Sequence, residues 1–390
     1  MLYVKNAKIK TMVGTDIENG QIIVENGKIK AIGENLKKPK GAEVIDAGKN
    51  LLTPGLIDAH CHVGLFGEAV RWEGADGNEI ADPITPQLRG IDSINPFDDA
   101  FKEAIAGGVT SVGTGPGSAN IMGGTFAAVK CVGKRVDDMA IKPEFAMKIA
   151  FGENPKNCYG QSQKKSPITR MAIAAGLREM LFKAQRYTEE LDEYEKSNKK
   201  DKKRPAFDMK LHSLVPVMRK QMPLKAHAHR ADDILTSIRI ANEFGLDISL
   251  EHCTDGHLIV DELVKENKPI IVGPTFGSRT KPEVKNKTFD TVKILVDAGL
   301  KVAINTDAPV IPIGGLSLCA GMAIAAGLDE QKGWECITKN PAEIMGIADR
   351  VGTLEVGKDA DFVIFSGNPL TDIDAKVLYT VVDGEIVYSA

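Results

Sequence analysis

No stretch of the 390-residue chain comes near the roughly 20 consecutive apolar residues needed to cross a bilayer, so the sequence predicts no membrane-spanning segment. The charged-then-apolar layout of a secretory leader is also missing. Met1-Leu2-Tyr3-Val4-Lys5-Asn6 starts directly in an alternating pattern, and the expected location is the cytoplasm. A strong charge of one sign is lacking: 49 Lys and Arg against 53 Asp and Glu leave a net charge of −4, which argues against nucleic acid as the main partner. The one basic run, Lys199, Lys200, Lys202, Lys203 and Arg204, follows an acidic stretch from Glu189 and reads as a solvated helix and loop. Cysteine is sparse and scattered, at 61, 131, 158, 253, 319 and 336, with no Cys-x-x-Cys pair. A disulfide scaffold or cysteine zinc knuckle is therefore not expected, and the thiols read as buried. The glycine-rich segment 113–124 lacks the Gly-Lys-Ser/Thr ending of a phosphate-binding loop. What remains is an expectation of a small-molecule substrate, with a homo-oligomer left open.

Histidine is scarce too, at seven residues, and that scarcity makes its placement informative. A Pro54-Gly55 turn leads into Leu56-Ile57-Asp58-Ala59-His60-Cys61-His62, a short strand whose end presents His-x-His. Side chains alternate along a strand, so His60 and His62 face one way and can share an ion while Cys61 faces the other. The run 223–229 ends in His227 and His229, the run 246–252 ends in His252, and the run 300–307 ends in Asp307. Imidazole with carboxylate is a ligand set suited to zinc and related divalent ions. Five of the seven histidines thus fall at three strand ends.

The texture of the chain changes twice. Residues 1–53 alternate in short runs around the Glu25-Asn26-Gly27 turn, a hairpin pattern. From 54 to 345 strand-like and helical runs alternate, as in parallel βαβ units. Residues 346–390 return to strands, with an Asp383-Gly384 turn. The fold class expected is α/β, with the two β ends joined into one small domain flanking a barrel.

These motifs resemble the amidohydrolase superfamily, metal-dependent hydrolases built on a distorted (β/α)8 TIM barrel with a small β-sandwich made from both chain ends. The resemblance rests on Thr53 to His62 and on Gly352-Thr353-Leu354-Glu355-Val356-Gly357-Lys358-Asp359-Ala360-Asp361-Phe362-Val363, and it covers essentially the whole chain. Thr114 to Asn120 and Gly152-Glu153-Asn154-Pro155 look most like an imidazolonepropionase-type and prolidase-like branch. The resemblance implies that His60, His62, His227, His252 and Asp307 bind one or two divalent ions, zinc being the expected metal. It also implies a bridging anion, for which Glu153 is preferred over a carbamylated Lys148. His229 is expected to reach the substrate from the rim or to face elsewhere. Arg279, beyond the seventh strand, is a candidate for holding a substrate carboxylate, and His257 for a structural or capping role or a contact with substrate.

The expected reaction is hydrolysis of an amide-type C–N bond in a small cyclic amide or dipeptide-like substrate. A metal-activated hydroxide would attack, and Asp307 would carry the proton to the leaving nitrogen. Two alternatives stay open: a deaminase of the same superfamily, and a non-catalytic barrel serving as a binding or assembly protein.

Overall fold

The computed structural model describes residues 1–67, 72–197 and 203–390. Asn26 and Gly27 both take positive φ, 53° and 76°, and so do Asp383 and Gly384, 49° and 76°. Paired positive φ values at a two-residue loop match the right-handed twist of antiparallel strands, so both sites close tight hairpins. The first hairpin joins β2 (Ile17–Glu25) to β3 (Lys28–Gly33), and β2 also pairs with β1 (Leu2–Ile9). β4 (Glu43–Asp46) and β5 (Leu51–Pro54) add to the other edge of β1.

The barrel follows. Its strands are β6 (Leu56–Cys61), β7 (Val109–Thr114), β8 (Met122–Lys130), β9 (Ala140–Ala150), β10 (Leu224–Ala228), β11 (Ile248–His252), β12 (Ile270–Val272) and β13 (Val302–Ile304). They form one nearly closed eight-stranded sheet in chain order. The final strands, β14 (Phe362–Phe365), β15 (Val377–Val382) and β16 (Glu385–Ser389), pair back through β14 onto β5. Both chain ends thus build one sheet, which encloses its own core around Val4, Ile9, Ile22, Leu52, Phe362 and Ile364.

One expectation fails in the barrel. Purely parallel βαβ alternation does not hold, because β8 runs antiparallel to both β7 and β9. The glycine-rich segment 113–124 supplies the end of β7, the turn and the start of β8, so no helix intervenes there.

The apolar periodicity decides which side chains reach the interior. On β10, Leu224, Ala226 and Ala228 pack in the main hydrophobic cluster with the surrounding helices, which leaves Lys225 and His227 on the opposite face. On β9, Met147 and Ile149 do the same, leaving Lys148 opposite. The floor of the barrel is filled by Ile57, Ala59, Phe126, Phe145, Ile271 and Ala303 with Ala342 and Met345 from the helix Lys339–Met345.

A buried ionic knot joins the barrel to the terminal sheet. Lys130 at the end of β8 meets Asp359 at 2.7 Å and Asp361 at 3.1 Å, and also pairs with Asp383. Arg350 and Lys28 hold Asp359 from the other side. Among the described residues no helix is long and apolar enough to cross a membrane. Of the basic run, Lys199, Lys200 and Lys202 lie outside the described residues, while the acidic stretch before it closes the long helix Arg170–Lys196.

Candidate metal centre

Two groups of ligand-type side chains meet at the carboxyl ends of the barrel strands. His60, His62 and Asp307 form one, and His227, His229 and His252 the other, each with its donor atoms within 4.8 Å of one another. The groups adjoin, the His60 and His252 rings lying 4.9 Å apart; within the second group the His227 and His252 rings are 4.4 Å apart. Cys61 packs in the outer cluster while the rings of its two neighbours lie 5.5 Å apart. Asp307 follows β13, and its Oδ1 is 3.4 Å from His62 Nε2 and 3.7 Å from His60 Nε2.

Hydrogen bonds behind the rings fix which nitrogen faces inward. His60 Nδ1 lies 2.7 Å from Glu251 Oε2, His62 Nδ1 2.8 Å from the Gly115 carbonyl, His252 Nδ1 2.7 Å from the Gly273 carbonyl, and His229 Nδ1 2.7 Å from Thr254 Oγ1. The carboxylate and the two carbonyls can only accept, so they select the tautomer with a bare Nε2 for His60, His62 and His252, while the Thr254 hydroxyl anchors His229 in either role. His227 is the exception. Its Nδ1 is buried with no hydrogen-bond partner, and its Nε2 is 3.4 Å from Asn154 Nδ2. Burial first, and neighbouring basic groups second, hold His60, His227, His229 and His252 well below the usual imidazole range. These rings are neutral and offer lone pairs.

Neutral imidazoles converging with a carboxylate, one ring carrying an orphaned buried nitrogen, fit a pair of divalent ions. The two clusters are consistent with a binuclear divalent metal site. His252 and Asp307 both adopt left-handed backbone, φ 69° and 56°, which costs a side-chain-bearing residue on the order of 1–3 kcal/mol and is characteristic of functional positions.

Fully buried charges support the rings. Lys148 Nζ sits 3.2 Å from His60 Nε2, and burial pushes its ammonium down to about 7. Glu251 Oε2 also accepts from Lys225 Nζ at 2.7 Å, and Lys225 donates to the Ala59 carbonyl at 3.1 Å. Asp58 accepts from the His60 and Thr306 amides and the Thr306 hydroxyl, tying β6 to the segment that carries Asp307.

Glu153, the preferred bridge, stands apart from the two groups in this structure. Glu153 belongs to neither ligand group; it is half-buried, and its amide donates to Glu283 Oε2 at 2.9 Å. Gly152, at φ 83°, ends the strand alternation before Glu153 is reached. The residue brought to the histidines is Lys148, with Asn154 touching His227 from the loop.

The histidines open into a cavity of about 820 Å³, within the range of small-molecule sites. His62, His227, His229 and Asp307 line it, so His229 stands inside the site rather than away from it. Arg279 does not line it. That side chain is exposed and donates to the Lys287 carbonyl at 2.9 Å, and the cations on the cavity wall are Lys281 and Lys287. His257 lies outside as well, its Nδ1 3.0 Å from Thr291 Oγ1 on the helix Asp290–Asp297, a structural contact.

Sequence reasoning missed Lys225, Glu251, Glu283 and Lys281. Glu283 is buried with Lys281 Nζ 2.6 Å from Oε1, and the same Lys281 donates to Asn154 Oδ1 at 3.1 Å. The usable signal was a charged residue inside an otherwise apolar strand, a pattern that Lys225 shares with Lys148.

Comparison with known proteins agrees with this architecture. The sequence model of the Amidohydrolase family matches residues 51–387. The chain is 28% identical to amidohydrolase tasK of Hapsidospora irregularis over 94% of its own length, and spans only 39% of that relative. It is 22% identical to an imidazolonepropionase of Thermoplasma acidophilum, covering 95% of this chain and 90% of the other. A crystal structure of an amidohydrolase from Thermotoga maritima MSB8 superposes with a TM-score of 0.95 at 39% identity, covering all of both chains. A Xaa-Pro dipeptidase solved with bound methionine matches at TM-score 0.61 and 17% identity over the full length of both, a likeness of fold.

Proposed function

The chain belongs to the amidohydrolase family, hydrolases of carbon–nitrogen bonds, and on that premise we propose that it cleaves an amide-type bond in a small dipeptide-like or cyclic amide substrate. The observation that carries the reading is the convergence of five histidines and Asp307 in two adjoining groups, four of whose members, His62, His227, His229 and Asp307, line one cavity. His60 and His62 with Asp307 would hold one ion and His227 and His252 the other, zinc being the expected metal. Lys148, 3.2 Å from His60 Nε2, would, as its carbamate, add an anionic ligand. Such ions, when bound, lower the pKa of water toward neutrality and polarise a carbonyl oxygen.

The remaining chemistry falls to the protein. Asp307 sits 3.4 Å from His62 Nε2 at the cavity wall, where its carboxylate takes the proton of the attacking water and returns it to the departing nitrogen. Burial would raise its pKa, but the basic side chains packed around it more than offset that and keep it below the ordinary carboxylate range, in the form that accepts a proton. His229, anchored by Thr254, turns its Nε2 toward the substrate, and Asn154, whose side-chain nitrogen is 3.4 Å from His227 Nε2, orients the carbonyl.

The test is elemental analysis of the purified protein together with a hydrolysis screen over cyclic imides, imidazolones, Xaa-Pro and other dipeptides. Two metal equivalents and turnover on one of these classes are expected. Metal-free protein that binds no divalent ion, or ammonia release from amidines with every amide inert, overturns the reading, the latter in favour of a deaminase.

A further inference from the structure

The cavity wall carries an asymmetry that the metal chemistry does not use. Its acidic residue is Asp307, at the metal end, and its cations are Lys281 and Lys287. Lys281 is already neutralised by Glu283 at 2.6 Å. Lys287 has no carboxylate partner among the described residues. Its ammonium donates to the Phe276 and Ser278 carbonyls, both at 3.1 Å. An ammonium has three donors, so two fix its position and one is left over. Arg279, held against the Lys287 carbonyl, adds a second positive charge nearby. Lys287 also borders the small cavity lined by His252 and Thr254, which places it close to the metal end as well as on the main wall.

The second observation is apolar. Val310, Leu318 and Phe276 are 61%, 42% and 43% exposed, and all three line this same cavity. Side chains of that size left in contact with water inside a concave site are surface that a ligand's apolar part would cover.

Resting on the reading of this cavity as the substrate site, we infer that Lys287 binds the carboxylate of an anionic substrate while the Val310, Leu318 and Phe276 wall takes its apolar side chain. The substrate class is then an amide of a hydrophobic amino acid with a free carboxylate. Lys287 fills the role that the sequence suggested for Arg279.

Calorimetric titration of the metal-loaded protein tests this with N-acetyl-L-leucine, N-acetyl-L-leucinamide and N-acetylglycine. Wild type binds the acid about ten- to hundredfold more tightly than the amide, the effect of one hydrogen bond to a charged group. It also prefers the leucine over the glycine compound by about tenfold or more. Lys287→Gln closes the gap between acid and amide, whereas Lys287→Arg keeps it, and so does Lys285→Gln, a charge-matched control on the exposed side of the same segment. Equal binding of acid and amide by wild type, binding of neither, or a gap that survives in Lys287→Gln overturns the inference, the last by assigning the carboxylate to the metals. A gap that closes with Lys287→Gln in a protein that hydrolyses no amide leaves this inference standing and removes the hydrolase reading.

Discussion

Replacing Glu251 by glutamine keeps the side-chain shape and deletes one charge, and the surroundings set how much that costs. Glu251 and Lys225 are both fully buried; the carboxylate accepts at 2.7 Å from Lys225 and at 2.7 Å from the His60 ring, with Ser249 donating to its other oxygen. Glutamine leaves the Lys225 ammonium facing only an amide oxygen and the Ala59 carbonyl. Breaking a buried pair from one side costs about 3–5 kcal/mol. The same change removes the anion behind a metal-facing imidazole, which lowers metal affinity by about 10- to 100-fold. Urea unfolding of the metal-free protein reads the first effect, and competition against a chelator of known affinity reads the second. The double variant Lys225→Met/Glu251→Gln should recover part of the stability, because both charges are then gone, but none of the metal affinity. Glu262→Gln, on an exposed helix face and paired with Lys265, should change neither quantity by more than about 0.5 kcal/mol. A Glu251→Gln protein within about 1 kcal/mol of wild type and with unchanged metal affinity would refute the role of this carboxylate.

How far the sequence could be read depended on whether a feature was local. The Asn26-Gly27 and Asp383-Gly384 turns, the apolar runs and the histidines closing them are local, and they located the parallel barrel strands and most strands of the terminal sheet within a few residues, though not β4. Strand direction is not local. Met122 to Lys130 is buried along its whole length, and nothing in its composition separates an antiparallel strand from a loop after a glycine turn. Lys148 and Glu153 are separated by a backbone event that composition does not show, the left-handed Gly152 that ends the strand's two-residue period. Glu251 became legible only with register: it lies opposite His227 on β10, beside the Lys225 it pairs with and across the barrel from His60. Arg279 and Lys287 show the same limit in a loop, where a span of eight residues decided which cation faces the cavity.

The double variant His60→Ala/His62→Ala should stay folded by circular dichroism and lose bound metal by elemental analysis; full metal content would remove these residues from the site. Lys148→Ala should lose one metal equivalent while Glu153→Ala keeps both, and reconstitution of metal-free wild type should depend on bicarbonate, which carbamate formation at Lys148 requires. Asp307→Asn should lower turnover by about a hundred- to ten-thousand-fold with the fold retained, and near-normal turnover would exclude it as the proton carrier. The last prediction concerns the knot around Lys130. Burial pushes Asp361 up from 3.8 to about 6 despite the Lys130 charge beside it, and its Oδ2 is buried without a partner, as suits a protonated carboxyl. A folded-state pKa above the unfolded one gives stability that is fully present below pH 3.8 and lost as the pH rises through about 6. A displacement of that size corresponds to about 3 kcal/mol. Asp361→Asn has no proton to lose, so wild type should gain stability relative to this variant as the pH is lowered from 7 to 4, measured by urea unfolding at each pH. A difference that stays flat, or that grows toward neutral pH, would show that Asp361 is ionised in the fold and that the Lys130 attraction outweighs its burial.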